Sequence, residues 1–155
     1  MTDESDQIPR NLDFFVIEDT QTHLDNLLRS LQELGFDGEV IVARSISEGL
    51  KLLDLIDKSK TSIDMVISDM HLPDGIGLEI LHRLKSHDLL KDCPFLVMST
   101  ESQQEIIINS FEAGATNYII KPFKNEDLLE KLNFCWEKAS KKTKESFLKK
   151  LLPKG

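Results

Sequence analysis

Along the chain, short runs of apolar residues alternate with longer amphipathic stretches. The short runs are rich in β-branched and aromatic side chains, which is typical of buried strands. In the stretches between them, leucine and isoleucine recur at the spacing of a helix with one apolar face. The predicted strands are Phe14–Ile17, Val40–Ala43, Met65–Ile67, Phe95–Met98 and Tyr118–Ile120. The predicted helices are Thr20–Leu34, Ser47–Ile56 with Ser47 as its cap, Ile76–Leu84 with Ile76 inward, one beginning at Ser102, and one capped by Asn125.

This regular alternation of strands and helices predicts a doubly wound α/β domain. Parallel strands need crossover connections, and the crossovers place helices on both faces of the sheet. Polar residues follow four of the strands: Glu18 and Asp19, Asp69, Ser99 and Thr100, and Lys121. Because the carboxyl ends of parallel strands meet at one edge, these groups are expected to share one crevice.

Clustered carboxylates, a hydroxyl and a lysine indicate a site for a cation and a phosphoryl group. Carboxylates held together repel one another unless a hard divalent cation such as Mg²⁺ lies among them. The cation, Lys121 and the Ser99 hydroxyl would then neutralise an incoming phosphoryl group. Asp69 is our candidate nucleophile, and an aspartyl phosphate would be its product.

Length, composition and charge define the predicted domain organisation. The chain has 155 residues, 40% hydrophobic and 30% charged, which suits one domain. We predict a flexible N-terminus over residues 1–11, a domain over 12–138, and a basic extension over 139–155. The net charge of -8 combines -13 over residues 1–138 with +5 over 139–155, so nucleic-acid binding by the domain is disfavoured.

Two further features concern the compartment. The sequence contains no apolar run long enough to span a bilayer, and its acidic start is unlike a signal peptide, so a cytoplasmic protein is expected. Cys93 and Cys135 lack the spacing of a metal site or a redox motif and are interpreted as reduced, packed thiols.

Four segments together carry a family resemblance. They are Phe-Phe-Val-Ile-Glu-Asp (14–19), Met-Val-Ile-Ser-Asp-Met-His-Leu-Pro (65–73), Pro-Phe-Leu-Val-Met-Ser-Thr-Glu (94–101) and Ala-Gly-Ala-Thr-Asn-Tyr-Ile-Ile-Lys-Pro-Phe (113–123). In this order the segments resemble a response regulator receiver domain, closest to the single-domain chemotaxis type. The resemblance implies a flavodoxin-like fold with five parallel strands in the order 2-1-3-4-5 and five helices.

The resemblance also implies roles for individual residues. Asp69 corresponds to the phosphoacceptor, Glu18 and Asp19 to the acidic pair that holds Mg²⁺, Ser99 to the switch hydroxyl, Tyr118 to the switch aromatic residue, Lys121 to the phosphate-binding lysine, and the backbone carbonyl of His71 to a metal ligand. The sequence departs from the commonest pattern in having Glu18 in place of Asp, Thr100 after the switch hydroxyl, and the side chain of His71. The other histidines, His23, His82 and His87, are expected to be solvated.

A phosphorylation-activated switch of a two-component system is the function that this resemblance implies. The phosphohistidine of a histidine kinase or phosphotransfer protein would be the donor, and the chain would catalyse its own phosphorylation and dephosphorylation rather than act as an enzyme. The output would be binding of an effector protein to the face formed by the fourth helix, fifth strand and last helix. A phosphorelay intermediate or phosphate sink is the first alternative.

A flavin- or nucleotide-binding protein on the same fold is an alternative from another class. It is disfavoured because no glycine-rich phosphate loop follows the first strand. The basic extension has two interpretations: a continuation of the last helix that ends in a frayed terminus, or an amphipathic segment that contacts a partner or an acidic surface. It is too short to be an output domain.

Overall fold

A computed structural model describes residues 8–152 as one parallel sheet between two layers of helices. The elements are β1 (Phe14–Ile17), α1 (Gln21–Glu33), β2 (Val40–Ala43), α2 (Ile46–Ser59), β3 (Met65–Asp69), β4 (His71–Leu72), β5 (Gly75–Ile76), α3 (Leu78–Lys85), β6 (Phe95–Ser99), α4 (Gln104–Glu112), β7 (Asn117–Ile120) and α5 (Asn125–Leu151). The five-stranded sheet has the order β2-β1-β3-β6-β7 with every pair parallel. The predicted fold and strand order are therefore confirmed.

Alternate residues of the central strands enter two separate cores, because successive side chains in a strand point to opposite faces. Phe15 and Ile17 of β1 pack in the core beneath α2 and α3. Phe14 and Val16 pack in the core beneath α1 and α5. Burial on both faces explains why β1, β3 and β6 read as continuous apolar runs instead of alternating ones.

A two-stranded hairpin of β4 and β5 corrects the prediction for the third helix. His71 pairs with Ile76 and Leu72 with Gly75, so Ile76 belongs to the hairpin and not to a helix. Its side chain is 43% exposed, whereas the sequence predicted it to point inward. Gly75 has a φ of +155° and ends the turn of the hairpin. Because the hairpin continues through Ile76, α3 begins only at Leu78.

Two predicted helix caps are also wrong. At α2 the cap is Ser45, whose hydroxyl accepts a hydrogen bond from the Glu48 N–H at 3.1 Å, and Ser47 lies within the first turn. Asp74 of the hairpin turn accepts from the Ile46 and Ser47 N–H groups at 2.8 and 3.0 Å. The hairpin thus satisfies the amides of α2, and a local pattern does not reveal a partner from so far along the chain.

The cap of α5 is Lys124, and it makes no side-chain capping bond. The predicted cap, Asn125, lies inside the helix and donates instead to the Glu33 carboxylate at 2.7 Å. The helix has 27 residues and continues through most of the basic extension, where Phe147 and Leu151 are exposed.

The N-terminal segment that was predicted to be flexible is described from Ile8 onward, and residues 1–7 lie outside the described part of the chain. Ile8 is buried against the α1–α5 core, and the Arg10 guanidinium lies 5.0 Å from the ring centroid of Phe36. None of the helices within residues 8–152 has the length and apolar character needed to cross a membrane.

Candidate functional site

The register of the sheet brings the polar strand ends together at its carboxyl edge. Ile17 pairs with Ser68, so Glu18 lies beside the end of β3. Asp69 pairs with Met98, the residue before Ser99. Ser99 in turn pairs with Ile120, which precedes Lys121. Four predicted site residues on four strands therefore occupy adjoining positions along one edge.

The ammonium group of Lys121 lies at the centre of this edge. It donates to Glu18 Oε2 at 3.1 Å and to Asp69 Oδ2 at 3.0 Å. The third contact, also at 3.0 Å, is with His23 Nδ1. An ammonium has three N–H donors, and each has an acceptor here. Lys121 thus contacts Glu18 and Asp69 directly, whereas the sequence predicted only that these groups share one crevice.

Glu18 is fully buried next to a second carboxylate. Burial and the charge of Asp69 raise the pKa of its carboxyl group, although Lys121 and a hydrogen bond from the Thr20 N–H oppose the shift. One lysine therefore does not balance the two carboxylates. An arrangement of this kind favours binding of a further cation.

Asp69 presents one oxygen to Lys121 and the other towards the β3–β4 turn. The His71 N–H lies 3.4 Å from Asp69 Oδ1, and the carboxylate is only slightly exposed. The backbone beside it is closely packed, because a Cβ placed on Gly77 would lie 2.1 Å from the Asp69 carbonyl oxygen. Only glycine therefore fits at position 77 without displacing the backbone of the candidate acceptor.

Ser99, Glu101 and Tyr118 form a second connected group. The buried Ser99 hydroxyl accepts from the Glu101 N–H at 3.1 Å. The Tyr118 hydroxyl donates to the Glu101 carbonyl at 2.8 Å, and its ring is 4% exposed. Burial raises the pKa of Tyr118. The two predicted switch residues are thus joined through the backbone of one loop residue.

The donor set fits a hard divalent cation. The carboxylates of Glu18 and Asp69 supply oxygen atoms, and the half-buried Asp19 follows Glu18 directly. Within residues 8–152, the group whose ligand atoms lie within 4.8 Å of one another consists of Glu18, His23 and Asp69. Asp19 lies outside this compact group, and its role as a metal ligand stays a prediction.

Sequence reasoning missed three residues of the site. His23 was expected to be solvated, yet it contacts Lys121. The signal for it was its place in the first turn of α1, four residues after Asp19. Glu101 belongs to one of the segments that carry the family resemblance, but the sequence predicted no role for it. Its side chain lies 3.5 Å from His71 Nε2. Gly77 carried no signal, because its close approach to Asp69 depends on the hairpin.

Another histidine also differs from the prediction. His87 is not solvated: its side chain is only 13% exposed, and its two ring nitrogens each lie 3.2 Å from a carboxylate oxygen, one on Asp54 and one on Asp57. This contact links the end of α3 to α2 and lies outside the site.

Comparison with known families identifies the class of protein. The pattern of the response regulator receiver domain matches residues 14–133. The chain belongs to this family, whose members are signalling domains of two-component systems.

Individual relatives agree with this assignment. Chemotaxis protein CheY-3 of Vibrio cholerae is 29% identical over 83% of this chain and 95% of its own. A response regulator receiver domain protein from Clostridium thermocellum superimposes with a TM-score of 0.69 at 28% identity, over 83% of this chain and 97% of that one. The phosphorylated cyanobacterial phytochrome response regulator RcpA has a TM-score of 0.65 at 25% identity, over 77% and 87% of the two chains.

Proposed function

We propose that this chain is a switch that accepts a phosphoryl group on Asp69 and signals by binding another protein. The observation that carries the proposal is the contact of 3.0 Å between Lys121 Nζ and Asp69 Oδ2 at the carboxyl edge of the sheet. In this contact the Lys121 ammonium lies beside Asp69, the carboxylate at the carboxyl end of β3. A phosphorylated relative, RcpA, is consistent with this role.

The donor would be the phosphohistidine of a histidine kinase or of a phosphotransfer protein. An Asp69 oxygen attacks phosphorus, the P–N bond breaks, and its electron pair stays on the donor imidazole nitrogen. Lys121 would then donate to one of the phosphoryl oxygens, which carry the charge, and the Ser99 hydroxyl would donate to another. Attack of water on phosphorus later releases inorganic phosphate and restores the Asp69 carboxylate.

Mg²⁺ is the cofactor that the oxygen donors of this edge favour. Glu18, Asp19, Asp69 and the backbone carbonyl of His71 would hold it, and when bound it would neutralise charge on the phosphoryl group. An open site that retains water should bind Mg²⁺ with a dissociation constant on the order of a millimolar or below.

The output face would consist of α4, β7 and α5. A groove of about 500 Å³ runs along it, with Ile107, Phe111, Tyr118 and Ile120 among its lining residues. The Tyr118 ring is buried in this structure. Ser99 and Tyr118 both bind Glu101, so a shift of Ser99 towards the phosphoryl group would move the loop that holds Tyr118.

Acetyl phosphate with Mg²⁺, followed by mass spectrometry, tests the phosphorylation site. The expected product is one phosphoryl group on Asp69, labile to hydroxylamine, absent in Asp69→Asn and unchanged in Asp88→Asn, an exposed control. Asp19→Ala should abolish both Mg²⁺ binding and formation of the product. Phosphate on Ser99 or Thr100 that persists in Asp69→Asn would contradict the mechanism.

A further inference from the structure

The three side chains that contact the Lys121 ammonium could bind a metal ion in its place. Glu18 Oε2, Asp69 Oδ2 and His23 Nδ1 lie 3.1, 3.0 and 3.0 Å from Lys121 Nζ. The three residues can direct one ligand atom each to within 4.8 Å of the others. Two of them are carboxylates on the ends of strands, and the third is an imidazole on α1. Oxygen and nitrogen donors thus converge on one point.

The tautomer of His23 follows from its partner. A lysine ammonium can only donate, so His23 Nδ1 must be the acceptor and its ring proton must be on Nε2. The lone pair of Nδ1 therefore points at the centre of the group. A metal ion bound through imidazole needs this same lone pair.

We propose that Glu18, His23 and Asp69 form a transition-metal site whose ion replaces the Lys121 ammonium. An imidazole ligand suits Zn²⁺, Co²⁺ and Ni²⁺, whereas Mg²⁺ prefers oxygen donors alone. The site is distinct in composition from the oxygen-only set assigned to Mg²⁺, because it includes His23 and leaves out Asp19. A bound ion would release the lysine that the proposed function assigns to the phosphoryl group, and only this consequence rests on the proposed function.

Charge and access both favour the exchange. Two carboxylates balance a divalent ion, whereas the single ammonium leaves one negative charge uncompensated. The ligand atoms would need to move inward by about 1 Å to reach the usual Zn–N and Zn–O distances. His23 is able to adjust because its side chain is 37% exposed. A cleft of about 460 Å³, lined by His23, Thr100 and Lys121 among others, connects the group to solvent.

Co²⁺ titration followed by visible absorption tests the proposal without any phosphodonor. The wild type should develop the d–d bands of a nitrogen-ligated ion, and excess Zn²⁺ should remove them. His23→Gln should weaken Co²⁺ binding by at least about tenfold, the lower end of what losing even an outer partner of a metal ligand costs. Lys121→Met should strengthen binding, because no ammonium then competes. His82→Gln, which removes an exposed histidine of α3, should behave as the wild type.

Two results would overturn the site: equal Co²⁺ affinity in His23→Gln and the wild type, or bands that are lost in His71→Ala while His23→Gln retains them. Circular dichroism of each variant checks that the fold is intact. The outcome is separable from the proposed function, because phosphorylation of Asp69 is measured with Mg²⁺ and acetyl phosphate. Co²⁺ binding through His23 would stand even if Asp69 were never phosphorylated, and the reverse also holds.

Discussion

Helices α1 and α4 flank the site on opposite faces of the sheet and are anchored very differently. Three leucines of α1, Leu24, Leu27 and Leu31, are buried in the core that α1 shares with α5. The only buried residue of α4 is Ser110, whose hydroxyl donates back to the Ile106 carbonyl of its own helix at 2.9 Å. One helix is fixed by burial of large apolar side chains, and the other rests on the sheet through half-buried side chains.

The difference assigns the two helices different parts in the proposed switch. His23, which contacts Lys121, lies on the firmly packed α1, so the backbone that carries it is held in place. The loop that holds Ser99 and Glu101 leads into α4, where Ile108 and Phe111 are 47% and 43% exposed. Segments with few buried apolar contacts open at low free energy, and moving elements are drawn from them.

The largest expected effect compares apolar truncations in the two helices. Leu27→Ala should lower the free energy of unfolding by about 2–5 kcal/mol, because Leu27 is fully buried and its truncation removes apolar contacts and leaves a cavity. Ile108→Ala should change it by no more than about 0.5 kcal/mol. Urea unfolding measures both, and amide exchange should be faster in α4 than in α1. An equal loss in the two variants would contradict the comparison.

The next prediction concerns coupling between Asp69 and the α4 face. Phosphorylation should change the affinity for an effector by roughly 5- to 150-fold, a coupling of about 1–3 kcal/mol. Tyr118→Ala should leave phosphorylation largely intact and remove most of this coupling. Tyr118→Phe keeps the ring but loses the hydrogen bond to the Glu101 carbonyl, so its coupling should be intermediate.

Ile107→Asp should weaken effector binding in both phosphorylation states, because it places a charge in the groove of the output face. Calorimetry with and without beryllofluoride gives two affinities for each variant, to be compared with the two of the wild type. If the effector binds to α1 with an affinity that none of these changes affects, then α4 is not the output element.

A smaller effect tests the corrected cap of α2, which lies on the same face of the sheet as α4. Ser45→Ala should cost about 1 kcal/mol of stability, because the Glu48 N–H loses its acceptor. Ser47→Ala is the matched control and should cost much less, since the exposed Ser47 contributes its N–H and not its side chain. Thermal unfolding measures both variants. A larger loss of stability in Ser47→Ala than in Ser45→Ala would show that Ser47 is the cap, as the sequence pattern predicted.

The smallest effect concerns buried charge beside α1. The native pKa of Glu18 is raised above its ordinary value of 4.5, so the native state binds more protons than the unfolded state just above this pH. The contribution of Glu18 to the free energy of unfolding is therefore fully present below about pH 4.5, and it is lost as the pH rises through the native pKa. Glu18→Gln should flatten that slope and raise the melting temperature at pH 7.

Glu112→Gln, at the exposed end of α4, is the control for Glu18→Gln and should leave the pH dependence of stability unchanged. Thermal unfolding between pH 4 and pH 8 in metal-free buffer measures the slopes. A slope in Glu18→Gln as steep as that of the wild type would show that burial of this carboxylate has no cost.

The sequence by itself determined the fold and most of the candidate site. Apolar runs that lack alternation required strands buried on both faces, and their regular separation by amphipathic helices required parallel pairing. Polar residues at strand ends then had to meet at one edge, which is why Glu18, Asp69 and Lys121 were identified without coordinates. These inferences depend on local patterns and on one topological rule.

Only the tertiary structure decided which groups touch across elements. The hydrogen bond from the Ile46 N–H of α2 to Asp74 and the contact of His23 with Lys121 join residues that are distant in sequence. The close approach of Gly77 to Asp69 depends on the hairpin between them. The hydrogen-bonding capacity of a side chain is known from its type, but its partner depends on how helices and turns pack. His23 lies in the first turn of α1, and the packing of that helix beside Lys121, which follows β7, made it part of the site.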